Sequence, residues 1–234
     1  MKKLHSLSAF FPCYNEESNV PLFVAEALEV LPKLAKKFEI IIVNDGSTDE
    51  TKNIATQLAK KDTRIKVVNH QHNRGYGAAL RSGFQAAQYD WIFFTDGDLQ
   101  FKLTQLTEFV SYAQDYQAII GYRKNRAEGS LRAFNARLFK LYVDILYRIH
   151  VRDIDCAFKL LKADLIKSLP LISTGAFTSA EFLYRLKKQG VKFKQLPVDH
   201  LPRQYGSPTG NNLKVIIKAG WEAFRIYLKV KFGI

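Results

Sequence analysis

The strongest constraint on the fold is a short β-branched segment, Ile40-Ile41-Ile42-Val43. A continuous apolar run of this length predicts a strand covered on both faces, which is typical of a parallel sheet. Helical patterns separate it from other strand-like segments. The predicted strands are Leu7–Phe11, which Pro12 is expected to end, Glu39–Val43, Ile65–Asn69 and Trp91–Phe94. This βαβ series predicts an α/β fold with a doubly wound sheet and right-handed crossovers.

The second half of the chain predicts further elements in a less regular order. We expect helices at Leu106–Tyr112, Arg132–Ile149, Glu181–Gln189 and Leu213–Phe232, and strands at Ala118–Arg123, Phe158–Leu161 and Val191–Val198. No repeat or linker interrupts the pattern, so residues 1–212 are predicted to form a single domain. Residues 213–234 are predicted to form an amphipathic helix with a polar stripe of Lys214, Lys218, Glu222, Arg225 and Lys229.

The composition indicates what kind of partner the chain has. A formal net charge of +13 and a pI near 9.6 imply an anionic partner, such as nucleic acid, a membrane surface or a phosphate-rich small molecule. The two cysteines, Cys13 and Cys156, are too few for a disulfide framework and indicate a reducing compartment. We find no signal peptide and no apolar run near the roughly 20 residues that span a bilayer. The sequence therefore predicts a cytoplasmic protein, peripheral at the inner face of the membrane.

Polar loops follow three of the predicted strands, at Pro12–Glu16, Asn44–Asp49 and Asp96–Asp98. Parallel strands bring their carboxyl ends to one edge of the sheet, so these loops are expected to converge. The carboxylates of Asp96 and Asp98 suit Mg²⁺ or Mn²⁺ when a substrate's phosphates supply further ligands. An ordinary Asp-Gly turn is the alternative. An acid-rich edge suits a nucleotide with a divalent cation better than nucleic acid, so no nucleic-acid partner is expected.

A glycine-rich segment, residues 73–83, leads into a predicted helix. Its first glycines, Gly75 and Gly77, allow the backbone to approach a phosphate or a ribose. The spacing of Gly75, Gly77 and Gly83 does not match the dinucleotide-binding fingerprint, and the sequence contains no P-loop. The absence of a P-loop argues against an NTPase.

Six short motifs carry a resemblance to a known family. They are Pro12-x-Tyr14-Asn15-Glu16, Val43-Asn44-Asp45-Gly46-Ser47-x-Asp49-x-Thr51, Asn73-x-Gly75-x-Gly77, Asp96-x-Asp98, Gly121-x-Arg123 and Asp153-x-Asp155-Cys156-x-Phe158-Lys159. In this order they resemble family 2 glycosyltransferases, specifically the polyprenyl-phosphate branch that is similar to dolichyl-phosphate mannose synthase. The resemblance runs from about Leu7 to Gly210 and implies the GT-A fold, a Rossmann-like mixed sheet that is mostly parallel.

The resemblance implies an inverting transfer of a sugar from a nucleotide diphosphate sugar, of GDP-mannose or UDP-glucose type, to a dolichyl or undecaprenyl phosphate. It implies that Asp96 and Asp98 bind Mg²⁺ or Mn²⁺ at the donor's diphosphate, with Gln100 close by. The residues expected to border the nucleotide are Pro12, Tyr14, Glu16, Asn44, Asp45 and Gly75. The chain departs from the family pattern at Asn44 (often Asp), Ala157 (often Gly) and Phe101-Lys102 (often prolines). The first departure leaves the nucleotide open.

The acceptor decides which residues perform the chemistry. A lipid monophosphate has a second pKa of about 6 and is already a nucleophile at neutral pH, so it needs no general base. The protein then needs cations that bind phosphate, for which Arg123, Arg126, Arg132 and Arg203 are candidates. A saccharide or other hydroxyl acceptor needs a carboxylate base, for which Asp153, Asp155 and Glu181 are candidates. The catalytic residues we predict are Asp98, Arg123, Asp155 and Arg203.

Other interpretations are open from the sequence alone. The C-terminal stripe, together with Trp221, Phe224, Tyr227 and Phe232, predicts binding to an anionic membrane surface, and packing on the domain is the alternative. A basic nucleic-acid-binding protein is an alternative function. So is a nucleotidyltransferase, which would normally have a glycine- and basic-rich triphosphate loop where this chain has residues 12–16. The sequence does not predict the oligomeric state.

Overall fold

The computed structural model describes residues 2–124, 138, 141–175, 177–205 and 213–232, with side chains in the last range described for residues 220–229. Seven strands form one sheet in the order β3-β2-β1-β4-β6-β5-β7. They are β1 (Leu4–Cys13), β2 (Ala35–Asn44), β3 (Ile65–Asn69), β4 (Trp91–Phe94), β5 (Ala118–Arg123), β6 (Lys159–Lys162) and β7 (Phe193–Val198). Neighbouring strands are parallel except where β6 pairs with β4 and β5. The expected mixed, mostly parallel sheet is confirmed.

The helices follow the predicted order, with one short helix, Ala163–Lys167, that the sequence did not predict. They are α1 (Val20–Leu34), α2 (Thr51–Lys61), α3 (Tyr76–Ala86), α4 (Leu106–Ser111), α5 (141–147), α6 (Ala163–Lys167), α7 (Thr178–Lys188) and α8 (Leu213–Phe232). The start of the helix predicted at Arg132–Ile149 lies outside the described residues, as do Arg126 and Arg132. Within the described parts of the chain, no helix is both long enough and apolar enough to cross a membrane.

The prediction that Pro12 ends the first strand is wrong. β1 continues through Pro12, which pairs with Val43, to Cys13, which pairs with Asn44. The ladder between β1 and β4 stops earlier, at Phe10. The Pro12 carbonyl points to the β4 side and accepts a hydrogen bond from the Gly97 N–H at 3.4 Å. Because the nitrogen of a strand residue points to the same side as its carbonyl, the N–H that proline lacks has no ladder partner to lose.

Both faces of the sheet are covered, as the apolar strands require. α1 and α4 bury their apolar residues on one face, in a core that includes Phe11, Phe93 and Phe158. α3, α5, α7 and part of α8 cover the other face, whose core includes Phe94 and Phe182. The chain therefore winds on both sides of β1, and the strand order reverses between β1 and β4. Ligands bind at this reversal in open α/β sheets, which gives the site its position.

Candidate functional site

The loops that follow β1, β2 and β4 meet at the carboxyl edge of the sheet. The Asp45 N–H donates to the Cys13 carbonyl at 2.9 Å, and the Gly97 N–H donates to the Pro12 carbonyl. The loops after β1 and β2 also interlock, because the Thr48 N–H donates to Asn15 Oδ1 at 2.8 Å. The structure therefore brings together the three loops that the sequence predicted to converge.

Asp96 and Asp98 lie at the end of β4, where the strand order reverses. Asp96 Oδ1 is buried and has no hydrogen-bond partner among the residues that the structure describes. The Tyr76 side chain, from the first residue of α3, interacts with the same carboxyl group and lowers its pKa. Burial, together with the neighbouring charge of Asp98, raises the pKa of Asp96 to about 7. The carboxyl group thus lacks the positive partner that its ionised form needs.

This arrangement fits a divalent cation. A metal ion would give the orphaned Asp96 oxygen a ligand bond and would relieve the repulsion between Asp96 and Asp98. Carboxylate oxygens are the donors that Mg²⁺ and Mn²⁺ prefer. No group of three or more His, Cys, Asp or Glu side chains suited to a metal ion occurs within the described part of the chain. The candidate metal site therefore consists of a carboxylate pair.

Gly97 is required by space rather than by backbone conformation. A Cβ at this position would lie 2.8 Å from Cys13 Sγ, beneath the loop. The left-handed residue of the turn is Leu99, with φ of 59°. The bend that turns the chain after the carboxylates therefore occurs at Leu99, whereas Gly97 allows the loop to lie directly on the end of β1.

Arg203 links the acidic loops from the opposite end of the chain. Its guanidinium forms ion pairs with Glu16 and, at 3.4 Å, with Asp98. The backbone beside it is attached to Gln100, which accepts from the Leu201 N–H at 2.8 Å and donates through Nε2 to the Leu201 carbonyl at 3.0 Å. We call residues 199–205 the strap. The strap places Arg203 against two of the predicted donor-binding carboxylates.

Asp45 is fully engaged within the protein. Its carboxylate accepts from the backbone N–H groups of Arg74 and Gly75, both at 2.9 Å, and lies 2.5 Å from His70 Nδ1. It therefore shapes the glycine-rich loop. His70 was not predicted as a site residue, although its position directly after β3, at the carboxyl edge of the sheet, could have identified it. Tyr76 was also missed, because an aromatic residue at the start of a helix carries no signal of a nearby carboxylate.

The other residues predicted to border the nucleotide differ in their exposure to solvent. Tyr14 is exposed beside Pro12, at the end of β1. Asn44 is buried, donating to Asn69 Oδ1 at 2.9 Å and accepting from the Ser47 N–H at 3.1 Å. Glu16 accepts from Asn19 Nδ2 at 2.5 Å, and burial raises its pKa. Tyr14 is therefore the side chain of this group most open to a ligand.

Gly75 and Gly77 allow close approach of another protein segment. Gly75 has φ of +89°, and a Cβ there would lie 2.9 Å from the Thr174 carbonyl oxygen. At Gly77 a Cβ would lie 2.0 Å from Thr178 Oγ1. The Gly77 N–H donates to the Thr174 carbonyl at 3.0 Å. The glycines therefore seat the start of α3 against residues 174–178, and this contact fixes Tyr76 beside Asp96.

Arg123 and Asp155 lie at a second acidic turn, residues 153–156, which we call the 153–156 turn. Arg123 forms a bidentate pair with Asp153, at 2.7 and 2.9 Å, so part of its charge is already neutralised. Asp155 is exposed, and its charge acts on Tyr76 and Arg123. Lys159, which follows this turn, pairs with Phe94, so the structure places the turn beside the loop that carries Asp96, and it ties Arg123 to Asp153.

Glu181 has a structural role. It is fully buried and accepts from the backbone N–H groups of Ile172 and Ser173 at 2.8–3.1 Å. Arg185 Nε donates to the same carboxylate at 2.9 Å. Of the three carboxylates considered as a base, Glu181 holds a loop and Asp153 holds an arginine, which leaves Asp155 as the exposed one.

Comparisons with known proteins match the chain to several named glycosyltransferases. It is 30% identical over 207 residues to glycosyltransferase AglD of Haloferax volcanii, covering 84% of this chain and 33% of the relative. It is 26% identical to the undecaprenyl-phosphate 4-deoxy-4-formamido-L-arabinose transferase of Pectobacterium atrosepticum, covering 91% of this chain and 65% of the relative. The chain thus spans between a third and two thirds of the length of these relatives.

A solved structure confirms the GT-A fold. The chain superimposes with a TM-score of 0.74 on glucosyl-3-phosphoglycerate synthase of Mycobacterium tuberculosis, in complex with Mn²⁺, uridine diphosphate and glucosyl-3-phosphoglycerate. The match covers 98% of this chain and 81% of that chain at 17% identity. The family description "Glycosyl transferase family 2" matches residues 8–170. These residues contain the second half of β1, all of β2 and β4, and the Asp96–Asp98 loop, and the chain therefore belongs to glycosyl transferase family 2.

Proposed function

We propose that the protein is an inverting, metal-dependent glycosyltransferase that moves a sugar from a nucleotide diphosphate sugar to a polyprenyl phosphate. The observation that carries the proposal is the Asp96–Asp98 pair at the strand reversal, with one Asp96 oxygen buried and lacking a hydrogen-bond partner among the described residues. The relatives support the reaction class, and the name of the Pectobacterium relative supports the lipid phosphate acceptor. The GDP-mannose and UDP-glucose types of donor are the two we propose to test first.

The chain's own residues supply binding and orientation. The loops at Tyr14, Glu16 and Asn44 form the side of the site where the nucleoside binds, and Asp96 and Asp98 would hold Mg²⁺ or Mn²⁺. The metal supplies positive charge that stabilises the nucleoside diphosphate as it leaves. A polyprenyl phosphate is already ionised, so catalysis requires its orientation more than its deprotonation. Arg203 forms an ion pair with Asp98 and is our candidate to bind the acceptor phosphate.

The C-terminal helix supports a site at an anionic membrane surface, and we propose that the protein acts at the inner face of the membrane. One side of α8 packs on the protein: Ala223 and Ile226 are buried, and the Tyr147 hydroxyl donates to the Ala223 carbonyl at 2.6 Å. The other side carries Trp221 and Phe224, which are 68% and 39% exposed to solvent. Leu138, Leu141 and Ile145 add exposed apolar side chains at helical spacing on and before α5. An apolar surface on a strongly basic chain suits a lipid interface.

The test is a transfer assay with a panel of nucleotide sugars, with and without undecaprenyl phosphate, in Mg²⁺, Mn²⁺ or chelator. We expect a glycolipid product that requires both the metal and the lipid phosphate. Asp98→Asn should lower the turnover by at least about a hundredfold, because the leaving diphosphate loses its metal. Asp115→Asn is the matched control, since this exposed carboxylate precedes β5 at the opposite edge of the sheet. Full turnover in chelator would contradict the metal assignment.

A hydroxyl acceptor is the second candidate, and the exposed Asp155 carboxylate near Tyr76 is the observation that favours it. A hydroxyl nucleophile must lose a proton during transfer, and a nearby carboxylate can accept it. Under this mechanism, product forms on a saccharide without any lipid phosphate, and Asp155→Asn abolishes the reaction. Under the lipid phosphate mechanism, Arg203→Gln has the larger effect of the two substitutions.

A further inference from the structure

Lys159 is a buried lysine to which the proposed reaction assigns no role. It is 0% exposed and lies in β6, between Phe94 of β4 and Ile120 of β5. Its Nζ is 5.7 Å from the ring centroids of both Phe94 and Phe182. Burial lowers its pKa, since removing an ammonium group from water is costly. A charge in this position needs compensating contacts.

The compensating contacts come from the backbone of the 153–156 turn. Lys159 Nζ donates to the Ile154 carbonyl at 3.2 Å and to the Cys156 carbonyl. These two carbonyls belong to the residues on either side of Asp155. The charges of Asp153 and Asp155 also favour the ammonium form. Lys159 therefore fixes the backbone that presents the exposed Asp155 carboxylate.

Other contacts of the turn show that its position is closely defined. Arg123 holds its first residue through the bidentate pair with Asp153. Gly121 packs against it so tightly that a Cβ would lie 3.0 Å from Cys156 Sγ. β6 runs antiparallel to β4 with Lys159 opposite Phe94, so the turn that precedes Lys159 lies beside the loop that follows Phe94 and carries Asp96. A displacement of the turn would therefore change the site near Asp96 and leave the loops after β1 and β2 in place.

We propose that Lys159 is a positioning residue for sugar transfer, which holds the carbonyls of Ile154 and Cys156 and thereby keeps Asp155 in place next to the loop that carries Asp96. This inference rests on the proposed function, because it assigns Asp155 an electrostatic role at the edge of the donor site; it does not require Asp155 to act as a base. It gives a specific expectation: loss of the ammonium group lowers the turnover number and leaves nucleotide binding intact. If Lys159 had only a structural role, its removal would lower the turnover number and the nucleotide affinity together.

The first experiment compares Lys159→Met with Lys162→Met. Lys162 is the matched control, because it lies in the same strand with its Nζ 4.9 Å from the Trp91 ring centroid and is away from the turn. We expect Lys159→Met to reduce kcat by about thirtyfold or more, with the donor KM and the calorimetric affinity for the nucleoside diphosphate and Mn²⁺ within about twofold. Lys162→Met should match the wild type in all three. Equal losses of kcat and nucleotide affinity in Lys159→Met would overturn the proposal.

A double variant tests whether Lys159 acts through Asp155. If it does, Lys159→Met combined with Asp155→Asn should lose no more kcat than Asp155→Asn alone, because the positioned group is already gone. Losses that multiply would mean that Lys159 acts elsewhere, which contradicts the proposal. Lys159→Arg keeps the charge and is expected to recover at least about half of the wild-type kcat. If Lys159→Arg is as inactive as Lys159→Met, the proposal is also contradicted.

Hydrogen exchange separates this inference from the proposed function. Amides of residues 154–157 should exchange faster in Lys159→Met than in Lys162→Met, at a temperature where thermal melts show both variants folded. If the Met variant does not fold, Lys159→Gln takes its place, since its amide can still reach one carbonyl. Unchanged exchange would refute the positioning role. A wild type that transfers no sugar, but shows the faster exchange in the variant, would instead contradict the proposed function and leave the positioning of the turn supported.

Discussion

At the scale of single residues, the site is marked by polar groups whose local needs the protein does not meet. Asp96 Oδ1 is buried without a hydrogen-bond partner among the described residues, next to the charge of Asp98. Other buried atoms also lack a partner there, including Thr95 Oγ1 and Asn19 Oδ1, but these belong to neutral side chains. Groups left in this condition at a strand reversal are expected where a ligand completes the site.

The raised pKa of Asp96 predicts a pH dependence of metal binding. Below pH 7 the carboxyl group is protonated in the metal-free protein, so Mg²⁺ must displace a proton and its apparent affinity should fall, by up to about tenfold per pH unit. The same shift means that the metal-free fold loses stability as the pH rises from the ordinary value of Asp toward 7. The thermal stabilisation by Mg²⁺ should therefore be larger at pH 8 than at pH 6.

Asp96→Asn provides the check on this prediction. This variant has no ionisable group at the position, and its melting temperature should respond weakly to Mg²⁺ at both pH values. Asp115→Asn should behave like the wild type. An equal Mg²⁺ effect at pH 6 and pH 8 in the wild type would show that Asp96 is ionised without the metal.

How far single residues could be predicted from the sequence depended on burial. Asp96 and Asp98 could be identified because they follow an apolar strand, and a strand's carboxyl end is known from the pattern alone. Lys159 could not be identified, since its burial depends on Phe94 and Phe182, which are far from it in sequence. Arg123 was predicted to bind phosphate, but the sequence does not show that Asp153 pairs with it.

At the scale of secondary-structure elements, α8 joins the protein through one side and exposes the other. The Tyr142 and Tyr147 hydroxyls donate to the carbonyls of Gly220 and Ala223, so α5 holds the helix by its backbone. The Trp221 and Phe224 rings remain exposed, with centroids 6.2 Å apart. The two sequence interpretations of this helix, packing on the domain and binding a membrane, therefore concern different sides of it.

The exposed aromatic pair predicts membrane affinity. Trp221→Ser with Phe224→Ser should reduce binding to vesicles that contain anionic lipid by at least about tenfold, because two rings no longer enter the interface. The melting temperature should change little, since neither ring is buried in the core. Vesicle sedimentation measures the binding, and raised salt should weaken it in the wild type.

A matched control for the aromatic pair is Leu22→Ser. Leu22 is 47% exposed, but it lies on α1, in the first half of the chain. The Leu22→Ser substitution should leave vesicle binding unchanged. Equal losses from both sets of substitutions would indicate that any exposed apolar residue contributes, and that α8 has no special role.

The elements themselves were predictable where one pattern dominated. The βαβ series was recognised because its strands are apolar throughout and its helices are periodic. Pro12 was misread because the sequence does not show where the neighbouring β4 stops pairing, which is what makes a proline acceptable in β1. The reversed direction of β6 likewise follows from its pairing with β4 and β5, and came into the prediction only through the family resemblance.

At the scale of the whole molecule, the strap closes the site by joining distant parts of the chain. Arg203 and Glu16 are separated by 187 positions, and Gln100 holds the strap to the loop after Asp98. The guanidinium thus gives Asp98 a positive partner in the ligand-free protein. A metal ion at the carboxylate pair would share Asp98 with Arg203 or replace it, because both cations interact with the same carboxylate.

Arg203→Gln is therefore expected to change two measurements in opposite directions. Mn²⁺ binding without nucleotide, followed by electron paramagnetic resonance, should become tighter by about three- to tenfold, because a competing cation has been removed from Asp98. Transfer to a polyprenyl phosphate should fall by at least about tenfold, because the acceptor phosphate loses its arginine. Arg185→Gln is the matched control, since its guanidinium pairs with Glu181 away from Asp98, and it should leave Mn²⁺ affinity unchanged. Weaker Mn²⁺ binding in Arg203→Gln would show that the strap supports the metal site instead of competing for it.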